Sequence, residues 1–197
     1  RIQMVFQDPF ASLNPRKTVL ATLSQPLRIV RSMNPAQCRR EAERLLDLVG
    51  LSPGERYLER YPHQFSGGQR QRIGIARAIA VAPSLVIADE AVSALDISIR
   101  AQILTLLARL REQLALSYLF ITHDLGVVRS FADRTIVMYL GKVVEEGETE
   151  ALFRAPAHPY TAALIAACPI PDPVAARSQP FVPLEGDVPS PVDPPPG

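Results

Sequence analysis

The sequence predicts an α/β fold built around a parallel sheet. A continuous apolar run, Leu85–Ala88, ends in Asp89-Glu90, as expected of a strand that is buried on both faces. An amphipathic helix follows it, and a second apolar run, Tyr118–Thr122, completes a strand-helix-strand crossover. Connections of this kind join parallel strands, and ligands of such sheets bind at the carboxyl ends of the strands.

The N-terminal part reads as a short strand followed by helices. Residues 1–6 read as a short, mainly apolar strand, and a turn-rich loop starts at Gln7. Asn34, Pro35 and Gln37 have the spacing of a helix cap, and the helix they open ends at Gly50. Its buried face recurs at helical spacing: Ala42, Leu45, Leu46 and Val49. A further helix is predicted over residues 67–82, ended by Pro83.

The C-terminal part continues the crossover and then turns back as a hairpin. The crossover helix carries one apolar stripe, made of Ile99, Ile103, Leu106, Leu107, Leu110 and Leu114. Thr135–Leu140 and Lys142–Glu146 flank Gly141 as a hairpin, and short helices are predicted near 149–154 and 160–167. Ten of the 19 prolines lie in residues 169–197, which predicts an extended tail.

Composition excludes several classes of protein. With 47% hydrophobic and 21% charged residues, the chain is globular rather than disordered, and its net charge of +1 gives no reason to expect nucleic acid as a partner. The longest apolar run, Ala162–Cys168, is far shorter than the roughly 18 residues of a membrane span. The two cysteines lack CxxC spacing, which favours a reducing compartment and disfavours a thiolate metal site.

Two short segments and two single residues carry candidate chemistry. Ser66 caps the predicted helix that begins at Gly67-Gly68, and the exposed N–H groups of this helix start could bind a phosphate. Considered by itself, this segment is better explained as a helix start softened by glycine. Adjacent carboxylates at Asp89-Glu90 repel one another, which favours a cation or catalysis over a solvated acidic loop. His123 lies at the end of the next strand and Gln7 at the end of the first, where both could reach the same site. Without a functional role, His123 would be a structural histidine and Gln7 a turn residue.

These segments, taken in order, resemble the motifs of ABC ATPases. Ordered sets of motifs are far more specific than any one of them. The chain is similar to that family at the Q-loop (Gln7), signature (Ser66-Gly67-Gly68-Gln69), Walker B (Leu85–Glu90), D-loop (Ser93–Asp96) and switch (His123) motifs. Residues 6–15, 138–147 and 157–164 resemble the oligopeptide/dipeptide importer branch, so the resemblance spans the chain.

The resemblance implies a domain plan and residue roles. It implies a helical subdomain plus part of a RecA-like parallel sheet, divided as core strand 1–6, helical subdomain 7–62, signature helix and partial core 63–147, C-terminal helices 148–168 and proline-rich tail 169–197. Asp89 and Gln7 would hold Mg²⁺, with Glu90 as general base and His123 holding the γ-phosphate. Residues Ser66, Gly67, Gly68, Gln69 and Asp96 would act across a dimer of ATPase subunits.

The resemblance also implies partners. ATP and Mg²⁺ are the expected cofactors, and integral-membrane permease subunits and a second ATPase subunit, identical or different, the expected direct partners. A solute-binding protein acts indirectly, and no nucleic acid is expected. The implied place is the cytoplasmic face of the inner membrane, reached through the permease.

One family motif is missing. The P-loop pattern GxxxxGK[ST] does not occur, because the Gly141-Lys142 pair is followed by Val143, and Ala91 stands where the family usually has proline. We therefore expect a fragment of an importer ATPase, inactive alone and truncated at both ends. The alternative is a non-hydrolysing module that lends its signature face to a complete partner. An ABC ATPase acting on DNA or ribosomes fits the near-neutral charge less well.

Overall fold

The computed structural model describes residues 1–8, 11–93 and 95–168. These residues form two compact units, divided between His123 and Asp124. The predicted proline-rich tail, residues 169–197, lies outside the described residues, as does Ala94 of the D-loop-like segment. None of the described helices is long and apolar enough to cross a membrane.

The first unit is built on a three-stranded parallel sheet. Its strands are β1 (Ile2–Val5), β2 (Leu85–Asp89) and β3 (Ser117–Ile121), in the order β1-β2-β3. Register pairs Val5 with Ala88 and Asp89 with Ile121, so all three strands end at one edge. Helix α4 (Ile97–Leu114) joins β2 to β3, which confirms the predicted crossover.

The predicted burial of the strands is wrong in part. In β2, Val86 and Ala88 are each 1% exposed, but the alternate residues are only half-buried. In β3, Leu119 and Ile121 are 48% and 47% exposed. The exposed residues alternate along β3, so one face of this strand is uncovered among the described residues, whereas a wholly apolar run predicts cover on both faces.

Two helices and two short 3₁₀ turns separate β1 from the next core helix. Helix α2 (Pro35–Leu48) has the predicted capping box between Asn34 and Gln37, and its apolar face is buried. Helix α1 (Val19–Arg31) was not predicted individually from the sequence, and it contains Pro26, a residue that disfavours a helix interior. The 3₁₀ turns cover Gly54–Tyr57 and Pro62–Gln64.

Helix α3 (Gly67–Ile79) is three residues shorter than predicted. Its buried apolar residues include Ile73, Ile75 and Ala76, which anchor it in the core of the first unit. Ala82 has φ +48°, in the left-handed region that ends a right-handed helix, so the helix stops before Pro83 is reached.

The second unit is a hairpin with three short helices. Its antiparallel strands are β4 (Arg134–Tyr139) and β5 (Lys142–Glu148), which confirms the hairpin around Gly141. Helix α5 (Leu125–Phe131) precedes it, and α6 (Thr149–Arg154) and α7 (Pro159–Ala166) follow where helices were predicted. The neighbouring Thr161 hydroxyl, together with hydrogen bonds from the N–H groups of Ala157 and His158, lowers the pKa of Glu145.

Candidate functional site

Three of the predicted side chains meet at the carboxyl edge of the parallel sheet. Gln7 Nε2 donates a hydrogen bond of 2.6 Å to Glu90 Oε2. His123 Nδ1 lies 3.2 Å from the other carboxylate oxygen, Glu90 Oε1. Each residue follows a different strand, so it is the parallel pairing that brings together residues distant in the chain. The glutamate is the centre of this cluster.

Glu90 has an unusual backbone conformation. Its φ of +44° is in the left-handed region, which costs a non-glycine residue about 1–3 kcal/mol. Its N–H donates to Ile121 O at 2.9 Å, and its carbonyl accepts from both the N–H and the hydroxyl of Ser93. These bonds hold the glutamate in the strained turn, so the direction of its side chain is fixed by the surrounding structure.

The cluster is open to solvent on the histidine side. The side chain of His123 is 72% exposed, and that of Glu90 is 28% exposed. Because both carboxylate oxygens already have neighbours with N–H groups, the carboxylate is oriented while remaining accessible to water. An oriented and hydrated carboxylate can accept a proton from a water molecule or hold that water by a hydrogen bond.

A cavity of about 840 Å³ borders this cluster. It is lined in part by Gln7, Asp89, Ser12 and Arg77. Arg77 lies on α3, donates to Ser12 O at 2.5 Å, and has its guanidinium pKa lowered by burial. The wall therefore offers a carboxylate, an amide and a cationic side chain to an occupant.

Asp89 and Gln7 fit the chemistry of a magnesium ion in part. Mg²⁺ is usually held by one or two carboxylates together with substrate phosphates and water. Asp89 supplies one carboxylate and Gln7 an amide oxygen, and both line the same cavity. No group of three or more His, Cys, Asp or Glu that could hold a metal occurs in the described ranges, so these two side chains make only part of a magnesium site.

The remaining predicted residues form a second cluster at the starts of α3 and α4. Ser66 caps α3 by accepting from Gln69 N–H at 3.3 Å, and the Gln69 side chain accepts from Ser66 N–H at 3.1 Å. Asp96 precedes α4 and makes no capping bond through its side chain. A Cβ on Gly68 would lie 2.6 Å from Ile99 Cγ2 of α4, so this glycine allows the two helices to pack closely. Sequence analysis offered phosphate approach or a glycine-softened helix start for this glycine, and neither predicts its contact with α4.

Sequence reasoning missed three polar side chains of α3 that tie this helix to other segments. Arg70 donates to Pro62 O at 2.7 Å, Arg72 to Val49 O at 2.6 Å, and Gln71 to Ala91 O at 2.6 Å. The only available signal was the run of long polar residues, Gln69 to Arg72, near the start of the predicted helix. That signal does not identify the acceptors, which are carbonyl groups distant in sequence.

Comparison with known families gives two matches. Residues 1–93 match the family model described as ABC transporter, and residues 144–197 match the model described as oligopeptide/dipeptide transporter, C-terminal region. The first match contains Gln7, Ser66 and Glu90, and the second begins within the hairpin.

Curated relatives resemble the whole chain. A probable peptide ABC transporter ATP-binding protein of Sinorhizobium fredii is 54% identical over 197 residues, all of this chain and 55% of the relative. The dipeptide transport ATP-binding protein DppF of Escherichia coli is 52% identical, and the oligopeptide transport ATP-binding protein OppF of the same organism is 50% identical. Each of these two alignments covers 100% of this chain and 58% of the relative, so the chain spans little more than half their length.

A solved structure resembles the fold. It is the dimer of an ATP-binding cassette in a post-hydrolysis state bound to ADP and Pi. The match has a TM-score of 0.64 and 34% sequence identity, and it covers 76% of this chain and 63% of the other. The predicted fold class is therefore confirmed.

Proposed function

The chain belongs to the ABC transporter family, in its oligopeptide/dipeptide branch, and we propose that it is part of the ATP-hydrolysing subunit of an importer for peptides or similar small solutes. The observation that supports hydrolysis is the carboxylate of Glu90, held between Gln7 and His123 at the ends of three parallel strands. An inactive binding module has no physical need for a strained turn that orients a carboxylate.

The proposed reaction is attack of water on the γ-phosphate of ATP. Glu90 accepts the proton of the attacking water or polarises it, and His123 holds the water and the phosphate in line. Gln7 orients Glu90 through the 2.6 Å hydrogen bond and lies two residues after the end of β1. A magnesium ion held by Asp89 and Gln7 would neutralise phosphate charge.

The signature-like cluster acts in a dimer in this proposal. The start of α3, at Ser66, Gly67 and Gly68, meets the γ-phosphate of a nucleotide held mainly by the second ATPase subunit, where helix N–H groups favour an anion. Gln69 fixes the cap, and Asp96 contacts the partner subunit. The starts of α3 and α4 pack closely at Gly68 and Ile99, so they can present one surface.

Transport follows from coupling this dimer to a membrane permease. We assign residues 7–62 to the helical subdomain, with 1–6 and 63–147 in the ATPase core and 148–168 as C-terminal helices. The permease docks on the helical subdomain at the cytoplasmic face of the inner membrane, and a solute-binding protein delivers solute to the permease. Closure of the ATPase pair on ATP and its opening after hydrolysis drive the permease.

The test is ATP hydrolysis by the protein expressed from the complete reading frame that contains these residues. Glu90→Gln should lower the turnover of MgATP at least about 100-fold, since it removes the proton acceptor. Binding of a fluorescent ATP analogue should stay within about twofold. Glu112→Gln, an exposed carboxylate on α4, is the matched control and should keep full activity. Equal turnover in the two variants would remove Glu90 from this role.

A further inference from the structure

One buried polar side chain of α3 is not used by the proposed reaction. Gln71 is only 2% exposed, although a primary amide has two N–H donors and an acceptor oxygen to satisfy. Burying such a group is unfavourable unless it is hydrogen-bonded, so its partners show what holds it there.

Its partner lies in the turn that orients Glu90. Gln71 Nε2 donates a hydrogen bond of 2.6 Å to the carbonyl of Ala91, the residue after Glu90. Ala91 is itself 2% exposed, so no solvent replaces this bond when it is lost. The other bonds that hold the turn come from Ser93 and from β3, whereas this one comes from a separate helix.

Helix α3, which carries Gln71, is held in place on both sides of this residue. Its first turn is closed by the Ser66 capping box, and its middle is anchored by the buried Ile73 and Ile75. The strained turn has the opposite character, because a left-handed residue other than glycine relaxes when its restraints are removed.

We propose that Gln71 is a positioning residue for Glu90: its amide ties α3 to the turn and thereby fixes the carboxylate relative to the start of α3. This hydrogen bond connects the turn of Glu90 to the helix that begins at the Ser66 cap. This inference rests on the proposed function, in which Glu90 acts on the attacking water. The effect belongs to the chemical step rather than to nucleotide binding.

The first experiment separates the catalytic rate from binding in the complete protein. Gln71→Met keeps the length of the side chain and removes the amide donor. The control is Thr22→Val, which removes the hydrogen bond from another buried side chain, Thr22 Oγ1 to Thr18 O, away from the site. We expect Gln71→Met to lower kcat at least tenfold with KM within twofold, and Thr22→Val to change neither by more than twofold. The proposal would be overturned if kcat fell no more than in the control, or if KM rose by the same factor as kcat fell.

The second experiment does not depend on hydrolysis. Amide hydrogen exchange of the same proteins is followed in the peptide that contains Ser93, whose N–H donates to Glu90 O. Gln71→Met should raise the exchange rate of this peptide at least fivefold over that in Thr22→Val. Unchanged exchange would show that the Gln71 hydrogen bond does not hold the turn. Faster exchange in Gln71→Met, combined with a wild-type protein that hydrolyses no ATP, would support the tie and overturn the proposed function.

Discussion

At the scale of single residues, Glu90 combines two properties that oppose each other. Its left-handed backbone destabilises the folded chain, and its side chain is bracketed by Gln7 and His123. Strain of this kind persists only when surrounding contacts outweigh it. The turn accepts hydrogen bonds from Ser93 and Gln71 and donates one to Ile121 O, and these bonds supply the contacts. Neutral backbone and side-chain groups thus offset the free energy that this conformation of Glu90 costs.

Tyr118 is a partly buried residue whose pKa is shifted by its surroundings. Burial raises the pKa of its phenol to about 12, and the charge of Arg111 opposes the shift in part. Between the ordinary value of 10 and about 12, the unfolded chain releases this proton first, so the free energy of unfolding falls as pH rises. Below pH 10 both states are protonated, and the group adds no pH dependence.

The prediction is that Tyr118→Phe makes the alkaline loss of stability smaller. Urea unfolding of the wild type and the variant at two alkaline pH values, one below 10 and one between 10 and 12, measures the difference. Tyr61→Phe, at an exposed tyrosine, is the control and should leave the decline as in the wild type. Parallel pH profiles for wild type and Tyr118→Phe would show that this phenol does not contribute.

The residue types of the site could be predicted from the sequence, but their contacts could not. Asp89 and Glu90 end an apolar run and His123 ends the next, so strand ends and parallel pairing were enough to bring them to one edge. The positive φ of Glu90 and the Gln71–Ala91 bond depend on tertiary packing between elements distant in the chain. Sequence periodicity predicts neither the backbone conformation of Glu90 nor this hydrogen bond.

At the scale of elements, helix α4 ends on a residue that is poorly suited to its conformation. Ala115 has φ +50° in the left-handed cap position, where a Cβ is unfavourable and glycine is usual. Ala115→Gly should therefore stabilise the chain by about 0.5–1 kcal/mol. Ala101→Gly, within the same helix, should destabilise it by about 1 kcal/mol. Chemical denaturation of both variants tests the opposite signs, and a loss of stability in Ala115→Gly would contradict the prediction.

The two glycines at the start of α3 should respond differently to the same change. A Cβ on Gly67 would meet Leu95 Cδ2 at an ordinary 3.8 Å, whereas one on Gly68 would lie 2.6 Å from Ile99 Cγ2. Gly67→Ala should thus alter stability by less than about 0.5 kcal/mol, and Gly68→Ala should cost about 1–3 kcal/mol.

A double-mutant cycle checks that the cost at Gly68 is steric. In the Ile99→Ala background the methyl group has room, so Gly68→Ala should lose most of its destabilising effect. The measurement is the unfolding midpoint of the four proteins. An unchanged cost in that background would assign it to a cause other than the contact with Ile99.

Helix prediction failed where local chemistry and tertiary packing disagree. Helix α2 has its capping box, an N-terminal proline and a regular apolar stripe, so its start was predicted correctly. Helix α1 contains Pro26, which argues against a helix locally, yet Leu23 and Leu27 are fully buried and secure it. Packing of an apolar face outweighs a single unfavourable residue.

At the scale of the whole molecule, the prediction concerns the closure of two ATPase subunits that the proposed function requires. Ser66 lies at the helix start that, in the proposed function, meets a nucleotide held by the partner subunit. Ser66→Arg places a long cation on this surface, so it should prevent ATP-driven dimerisation while each subunit still binds its own nucleotide. Sedimentation of the complete protein with ATP, in the Glu90→Gln background to prevent turnover, measures the dimer.

The matched control separates obstruction from loss of the helix cap. Ser66→Ala also removes the 3.3 Å bond to Gln69 N–H and should cost about 1 kcal/mol of stability, but it adds no bulk. We therefore expect Ser66→Ala to dimerise with ATP and Ser66→Arg to remain monomeric, with similar nucleotide affinity in both. Dimerisation of Ser66→Arg would place the start of α3 away from the subunit interface. Failure of both variants would instead make the cap itself, rather than an unobstructed surface, the requirement for closure, because the alanine leaves the surface clear and removes only the hydroxyl.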